Sequence, residues 1–307
     1  MTVKKNLSQA ALAYFTLLSL SCSSERLEST STLQHRIDGW PRLSAEDFTC
    51  KNVQEGDYLT SLTNMIYFSR EGDQDYLTYQ EDHLKNLLNG SKKILPSWLN
   101  FANFCVGAPS NIRFQMNGMS AKSGSLAVFQ GTLLSGDETV FAALMAHELG
   151  HILGQKLTIE QFAEQQKTGN DSSLFSDEFK ANWDEQSADE IGLELYLRAG
   201  WPFGGFLSMF KAMAAEDALA VSSAKNTKEL SSKDPKSQPC IRGTASHPSV
   251  CWRLANADNE YKEHKNAYLD FGVTKNSSQN FSARHKELQS KYKKYQLDEK
   301  NKPKSDD

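Results

Sequence analysis

The sequence predicts a mainly helical α+β domain with a small sheet, on three observations. Apolar residues recur at helical spacing over long stretches, most clearly from Asp137 to Gly154 and in a second run ending near Ala199. Two short apolar runs, Asn111 to Met116 and Leu126 to Phe129, have the alternation or bounding glycines of strands. Gly90, Pro96, Gly200 and Pro202 stand where the helical runs end.

The N-terminal segment comes first. Lys4 and Lys5 precede an almost wholly apolar run from Ala10 to Leu20. That run is shorter than the roughly 20 residues a bilayer span needs. It has the charged start and short apolar centre of a secretory signal. Cys22 follows directly, and Leu20-Ser21-Cys22 resembles the cleavage box of bacterial lipoproteins, in which the cysteine becomes the lipidated first residue, although Ser19 occupies a position where Leu is usual. Residues 1–21 are thus expected to be a signal peptide and Ser/Thr-rich residues 22–45 a tether. The expected location is the bacterial periplasm, with a lipid anchor at Cys22 in the outer membrane. Ordinary signal cleavage near the same point is the alternative.

Five cysteines fit an exported chain. With Cys22 lipidated, four remain, and two disulfides suit an oxidising compartment. Three connectivities are open. The favoured one is Cys50–Cys105 with Cys240–Cys251, and buried thiols are the alternative.

Residues 46–257 are expected to form the folded domain. Helix-spaced apolar residues run from Gly56 to Leu88, including Leu59, Leu62, Met65, Ile66, Leu84 and Leu87. The two strand candidates follow. A helix then begins at Asp137, another runs from near Ser176 to Ala199, and a third covers Phe206 to Ala220. Residues 221–239 read as a loop. Residues 258–307 read as a charged tail, with one exposed helix from Ser282 to Gln296 and a disordered end. The balance of 34 basic against 38 acidic residues offers no broad cationic surface, so nucleic acid is not an expected partner.

The chemistry centres on His147-Glu148-Leu149-Gly150-His151. Positions four apart share a helix face, so both imidazoles reach one metal ion, and Glu148 stands beside it as a general base. The motif follows the apolar Ala142-Ala143-Leu144-Met145-Ala146, where charged and polar groups without a metal would be costly to bury. Catalytic zinc has three protein ligands and one open position. A third ligand on the same segment would fall at residue 157, which is Leu157. A glutamate from the next helix is the other solution, and Glu185 supplies it. Ala188, Asp189 and Gly192 share its face: the small residues permit close approach, and Asp189 would fix a ligand imidazole. Glu194 is the reserve third ligand. His35, His83, His264 and His285 lie in polar contexts and read as solvent-facing.

Ala146-His147-Glu148-Leu149-Gly150-His151, followed by Glu185-x-x-Ala188-Asp189-x-x-Gly192, resembles the zinc endopeptidases that include the CaaX prenyl-protein protease, the bacterial heat-shock membrane protease and periplasmic quality-control metalloproteases. The resemblance runs from about Gly124 to Arg253 and implies a minigluzincin-type domain. It implies that Leu126, Ala127, Val128 and Phe129 form an active-site edge strand that pairs with extended substrate. It likens Ser246-His247-Pro248 and Arg253 to the family's later His-Pro…Arg element. His247 would stabilise the oxyanion or close the metal in a resting enzyme; Arg253 would pair with Asp189 or a nearby carboxylate. Asn117-Gly118-Met119-Ser120 departs from the family's usual alanine-containing run.

The expected activity is zinc-dependent hydrolysis of unfolded or misassembled envelope polypeptides, with one Zn2+ per chain. A zinc-gated, chaperone-like binding protein and a purely structural zinc module are the rival readings. Structural sites usually take four protein ligands, often cysteines, and none lies near this motif.

Overall fold

The computed structural model describes residues 58–61, 64–69, 73–109, 112–120, 124–167, 177–223, 249–269 and 278–301. The expected signal peptide, tether and Cys22 lie outside them, as do Cys50, Cys240 and His247. Cys105 and Cys251 are each disulfide-bonded. Because Cys50 and Cys240 are outside the described residues, the two expected pairings remain expectations.

The chain opens with two strands, β1 (Tyr58–Ser61) and β2 (Asn64–Ser69), paired antiparallel. The helix expected from Gly56 therefore starts later. Asp73 starts it by accepting from the backbone N–H groups of Asp75 and Tyr76 at 3.1 and 3.4 Å. From there α1 (Gln74–Ser91) buries Tyr76, Tyr79, His83, Leu84, Leu87 and Leu88 along one face. The Leu59–Ile66 run lacked a cap and a continuous stripe, and the pairing Leu59↔Ile66 uses it as a hairpin instead.

Short strands follow: β3 (Cys105–Val106), β4 (Ala108–Pro109), β5 (Gly118–Ser120) and β6 (Ser125–Val128). One sheet has the order β1-β2-β4 and the other β3-β6-β5. In the second, β6 pairs parallel with β3 and antiparallel with β5. Gln80 of α1 ties this sheet down, donating to the Gly107 carbonyl at 3.1 Å and accepting from the Val128 N–H at 2.7 Å.

Two strand expectations need correction. Residues 112–116 form no strand, because Gln130 accepts from the Arg113 N–H at 3.0 Å and the Arg113 carbonyl accepts from Gly131 at 2.7 Å. More consequentially, Leu126 to Phe129 are not a free edge. They are buried, and β6 is the central strand, with a neighbour on each side. The edge beside the motif helix is β5.

After α2 (Gly131–Ser135), Asp137 caps α3 (Glu138–Lys167), accepting from Thr139 at 3.0 Å and Val140 at 3.3 Å. Residues Val140 to Ala146 are buried all round, so this helix is the centre of the core. It packs most extensively on α4 (Asp177–Arg198). Gly200, at φ 87°, ends α4, with Trp201 N–H reaching back to the Tyr196 carbonyl at 3.2 Å. Helices α5 (Phe203–Ser223) and α6 (Val250–Leu269) close over this pair. No helix of the described residues is long and apolar enough to cross a membrane.

The C-terminal helix α7 (Ser278–Asn301) is a docked element rather than an exposed one. His285, Leu288 and Tyr292 are buried, and Leu288 and Tyr292 join the main core. Tyr292 donates to Asp73 at 2.7 Å, and Gln289 donates to the Leu133 carbonyl at 2.8 Å. The expected boundary at 257/258 also falls inside α6, and the described helices Val250–Leu269 and Ser278–Asn301 both pack on the domain. His83 and His285, expected at the surface, are both buried: His83 lies among Tyr79, Phe141, Trp201 and Phe281.

Candidate metal centre

The site forms where α3 and α4 cross closely. A Cβ on Gly150 would lie 2.3 Å from the Ala188 carbonyl oxygen, and one on Gly192 would lie 2.9 Å from the His147 Cα. Glycine at both crossing points lets the backbones touch, and Glu185 is carried to the two imidazoles.

The nearest Glu185 oxygens are 3.5 Å from His147 Nε2 and from His151 Nε2. One ligand atom from each of the three residues can be chosen so that all lie within 4.8 Å of one another, the one such group of His, Cys, Asp and Glu among the described residues. Tetrahedral zinc with bonds of about 2.0–2.1 Å places its donors roughly 3.3 Å apart. The observed spacing suits that ion. Charge agrees. Glu148, Glu185 and Asp189 are buried against one buried guanidinium, Arg253, and the surplus of two negative charges is what one divalent cation would neutralise.

Around the donors, Asp189 and Arg253 form a rigid support. His147 Nδ1 lies 2.9 Å from Asp189 Oδ1, which makes Nδ1 the protonated nitrogen and leaves Nε2 facing Glu185 and His151. Arg253 donates to Asp189 through Nε at 2.8 Å and Nη2 at 2.7 Å, and its Nη1 lies 3.0 Å from Glu185 Oε2. Its Nη2 also lies 3.2 Å from His147 Nδ1, which donates to Asp189 and cannot accept, and 3.3 Å from His147 Nε2, whose lone pair can accept. Burial pushes the Asp189 carboxyl up, but Arg253 and then His147 pull it further down, so it stays ionised below the ordinary carboxylate range. Burial alone would lower the Arg253 pKa, and the Asp189 and Glu185 charges raise it beyond its usual value.

Glu148, also buried, touches β5. Ser120 Oγ donates to Glu148 Oε2 at 2.8 Å, and a Cβ on Gly118 would lie 2.6 Å from both the Cγ and Oε1 of Glu148.

The structure thus brings together His147, His151, Glu185, Asp189 and Arg253, with Glu148 next to His147 on the same helix. Glu194, the reserve ligand, is not part of the group. Its Oε1 accepts from Arg198 Nε at 2.8 Å, one turn along the same helix. Leu126 to Phe129 do not line the site as an open strand. Sequence reasoning missed Gly118 and Ser120; the signal was the departure at Asn117-Gly118-Met119-Ser120, where a glycine and a hydroxyl stand in the family's alanine-containing run.

A helix pair that presents two imidazoles and a carboxylate to one point, with a buried glutamate on the same helix as the imidazoles, is the arrangement of side chains that metallopeptidases use. Comparison with known families agrees: residues 114–261, just under half of the chain, match the model of peptidase family M48. A search among curated proteins found no match.

Proposed function

We propose that the protein is a zinc metalloendopeptidase acting on extended, unfolded or misassembled polypeptides of the bacterial envelope. The observation that carries this reading is the convergence of His147, His151 and Glu185 within 4.8 Å, with Glu148 seated beside them. Bound there, zinc would supply electrophilic polarisation of the scissile carbonyl and of the attacking water.

The protein's own residues do the rest. Glu148 accepts the proton of the attacking water and passes it to the leaving amine. Asp189 holds His147 in the tautomer that offers Nε2, and Arg253 keeps Asp189 ionised and pairs with Glu185. Substrate backbone adds to β5, which has no strand on its outer side among the described residues and which touches Glu148. His247 is assigned the oxyanion; Arg253, six positions later in the sequence, reaches the site, which supports the assignment. The signal-like N-terminus and the Leu20-Ser21-Cys22 box support an exported, lipid-anchored protein with a quality-control role.

The test is cleavage of unfolded casein by the purified chain. Activity is expected to disappear with a chelator and return with zinc. Glu148→Gln should retain zinc and fold while losing at least about a hundredfold in rate. Cleavage by that variant at the wild-type rate would refute the assignment of the base. A wild-type protein that binds zinc and cleaves nothing would refute the peptidase activity itself.

A further inference from the structure

The contact between β5 and Glu148 is not required by the ligand geometry. Three observations define it. Ser120 donates its hydroxyl to Glu148 Oε2 at 2.8 Å. Gly118, two positions earlier on the same strand, leaves the space in which Glu148 Cγ and Oε1 lie, since any Cβ there would come within 2.6 Å of both. The strand is itself fixed. Met119 pairs with Ala127 of the central strand, the Asn117 carbonyl accepts from the Phe129 N–H at 2.8 Å, and Asn117 Oδ1 accepts from the Gly118 N–H at 2.8 Å.

From this we infer that Ser120 is a positioning residue for the general base, with Gly118 as the gap that admits the carboxylate. A glutamate side chain has three rotatable bonds, and a base that swings among rotamers spends little time where the proton is transferred. The hydrogen bond to one oxygen and the flat backbone at Gly118 select one orientation. Because no strand among the described residues lies on its outer side, a polypeptide that adds to β5 would tighten the element that holds the base. Substrate alignment and base alignment therefore depend on one short strand. This inference rests on the peptidase reading above, and its test separates the two.

In the zinc-loaded full chain, Ser120→Ala is expected to lower kcat about tenfold or more, the size of effect a hydrogen bond to a charged group can have, with KM within twofold. Ser120→Thr, which keeps the hydroxyl, should restore most of the loss, and zinc content should be unchanged in both. A purely structural role would not divide the variants in this way. An unchanged kcat in Ser120→Ala overturns the proposal.

Two further measurements do not need turnover. In urea unfolding, Ser120→Ala should lower the midpoint in the Glu148 background and not in the Glu148→Ala background. Additive midpoints overturn the contact. A peptide hydroxamate, whose N–H and O–H offer protons to Glu148, should bind Ser120→Ala about tenfold more weakly than wild type, and equal affinity overturns the proposal. If the wild type cleaves no polypeptide while both of these effects are present, the peptidase reading fails and the positioning of Glu148 by Ser120 stands.

Discussion

Gly150 of α3 lies so close to Ala188 of α4 that a methyl group on it would sit 2.3 Å from the Ala188 carbonyl oxygen. The contact is backbone to backbone, so no side chain can move aside. It sets the distance between the helix that carries the two imidazoles and the helix that carries Glu185.

Gly150→Ala should therefore separate the helices. The expected result is a loss of about 1–3 kcal/mol in stability, the usual cost of overpacking, together with weaker zinc binding as Glu185 withdraws from His147 and His151. Gly204→Ala is the control. It meets nothing within 4 Å and lies in α5, so it should be neutral or slightly stabilising. Urea unfolding and zinc titration of the two variants check both statements; equal effects at the two positions would show that the close crossing is unimportant.

Asp189→Asn removes the charge that fixes the His147 tautomer and leaves the Arg253 guanidinium short of one carboxylate. Zinc affinity should fall about 10- to 100-fold, as for other supporting carboxylates, and the zinc-free protein should lose a few kcal/mol from the broken buried pair. Competition with a chromophoric chelator measures the first effect and denaturant unfolding the second. Unchanged affinity would mean that His147 is oriented by something other than Asp189.

His83 predicts a pH dependence unconnected with catalysis. Burial among aromatic rings holds its pKa well below the ordinary 6.5, with a smaller push downward from His285. Tyr79, Phe141, Trp201 and Phe281 face it, and none of them is a carboxylate. Below pH 6.5 the unfolded chain takes up a proton that the folded chain refuses, so stability falls as pH drops. The slope is about 1.4 kcal/mol per pH unit for each such histidine. His83→Phe should flatten the acid limb by about that amount relative to wild type. His285, also shifted down by burial, leaves a remaining slope. Thermal unfolding between pH 5 and 7 would show it, and parallel curves for the two proteins would rule it out.

Leu288 tests whether α7 belongs to the domain. It is buried against the main core, so Leu288→Ala should cost about 2–5 kcal/mol. Leu297, on the same helix but 59 % exposed, should change stability by less than about 0.5 kcal/mol when truncated. Equal, small effects at both positions would restore the picture of a detached C-terminal tail.

What could be read from the chain was local. The i, i+4 spacing of His147 and His151, the glutamate between them and the small residues beside Glu185 are consequences of helix periodicity, and the structure assembles them as the spacing requires. The docking of α7 was partly visible as well, since His285, Leu288 and Tyr292 fall on one helical stripe, but the surrounding charges masked it. His83 was masked in the same way: Glu81, Asp82 and Lys85 flank it in sequence, while Tyr79 and Leu87, four residues to either side, share its buried face.

The sequence by itself determined that His147 and His151 share one helix face with Glu148 between them, because a helix of fixed pitch converts spacing into geometry without help from the rest of the fold. Only the tertiary structure decided which strand lies at the edge beside the base. Strand order depends on pairing between distant segments, and an apolar run such as Leu126 to Phe129 looks the same whether it is central or exposed. The position of Ser120 against Glu148 follows from that order, and no periodicity in the chain encodes it.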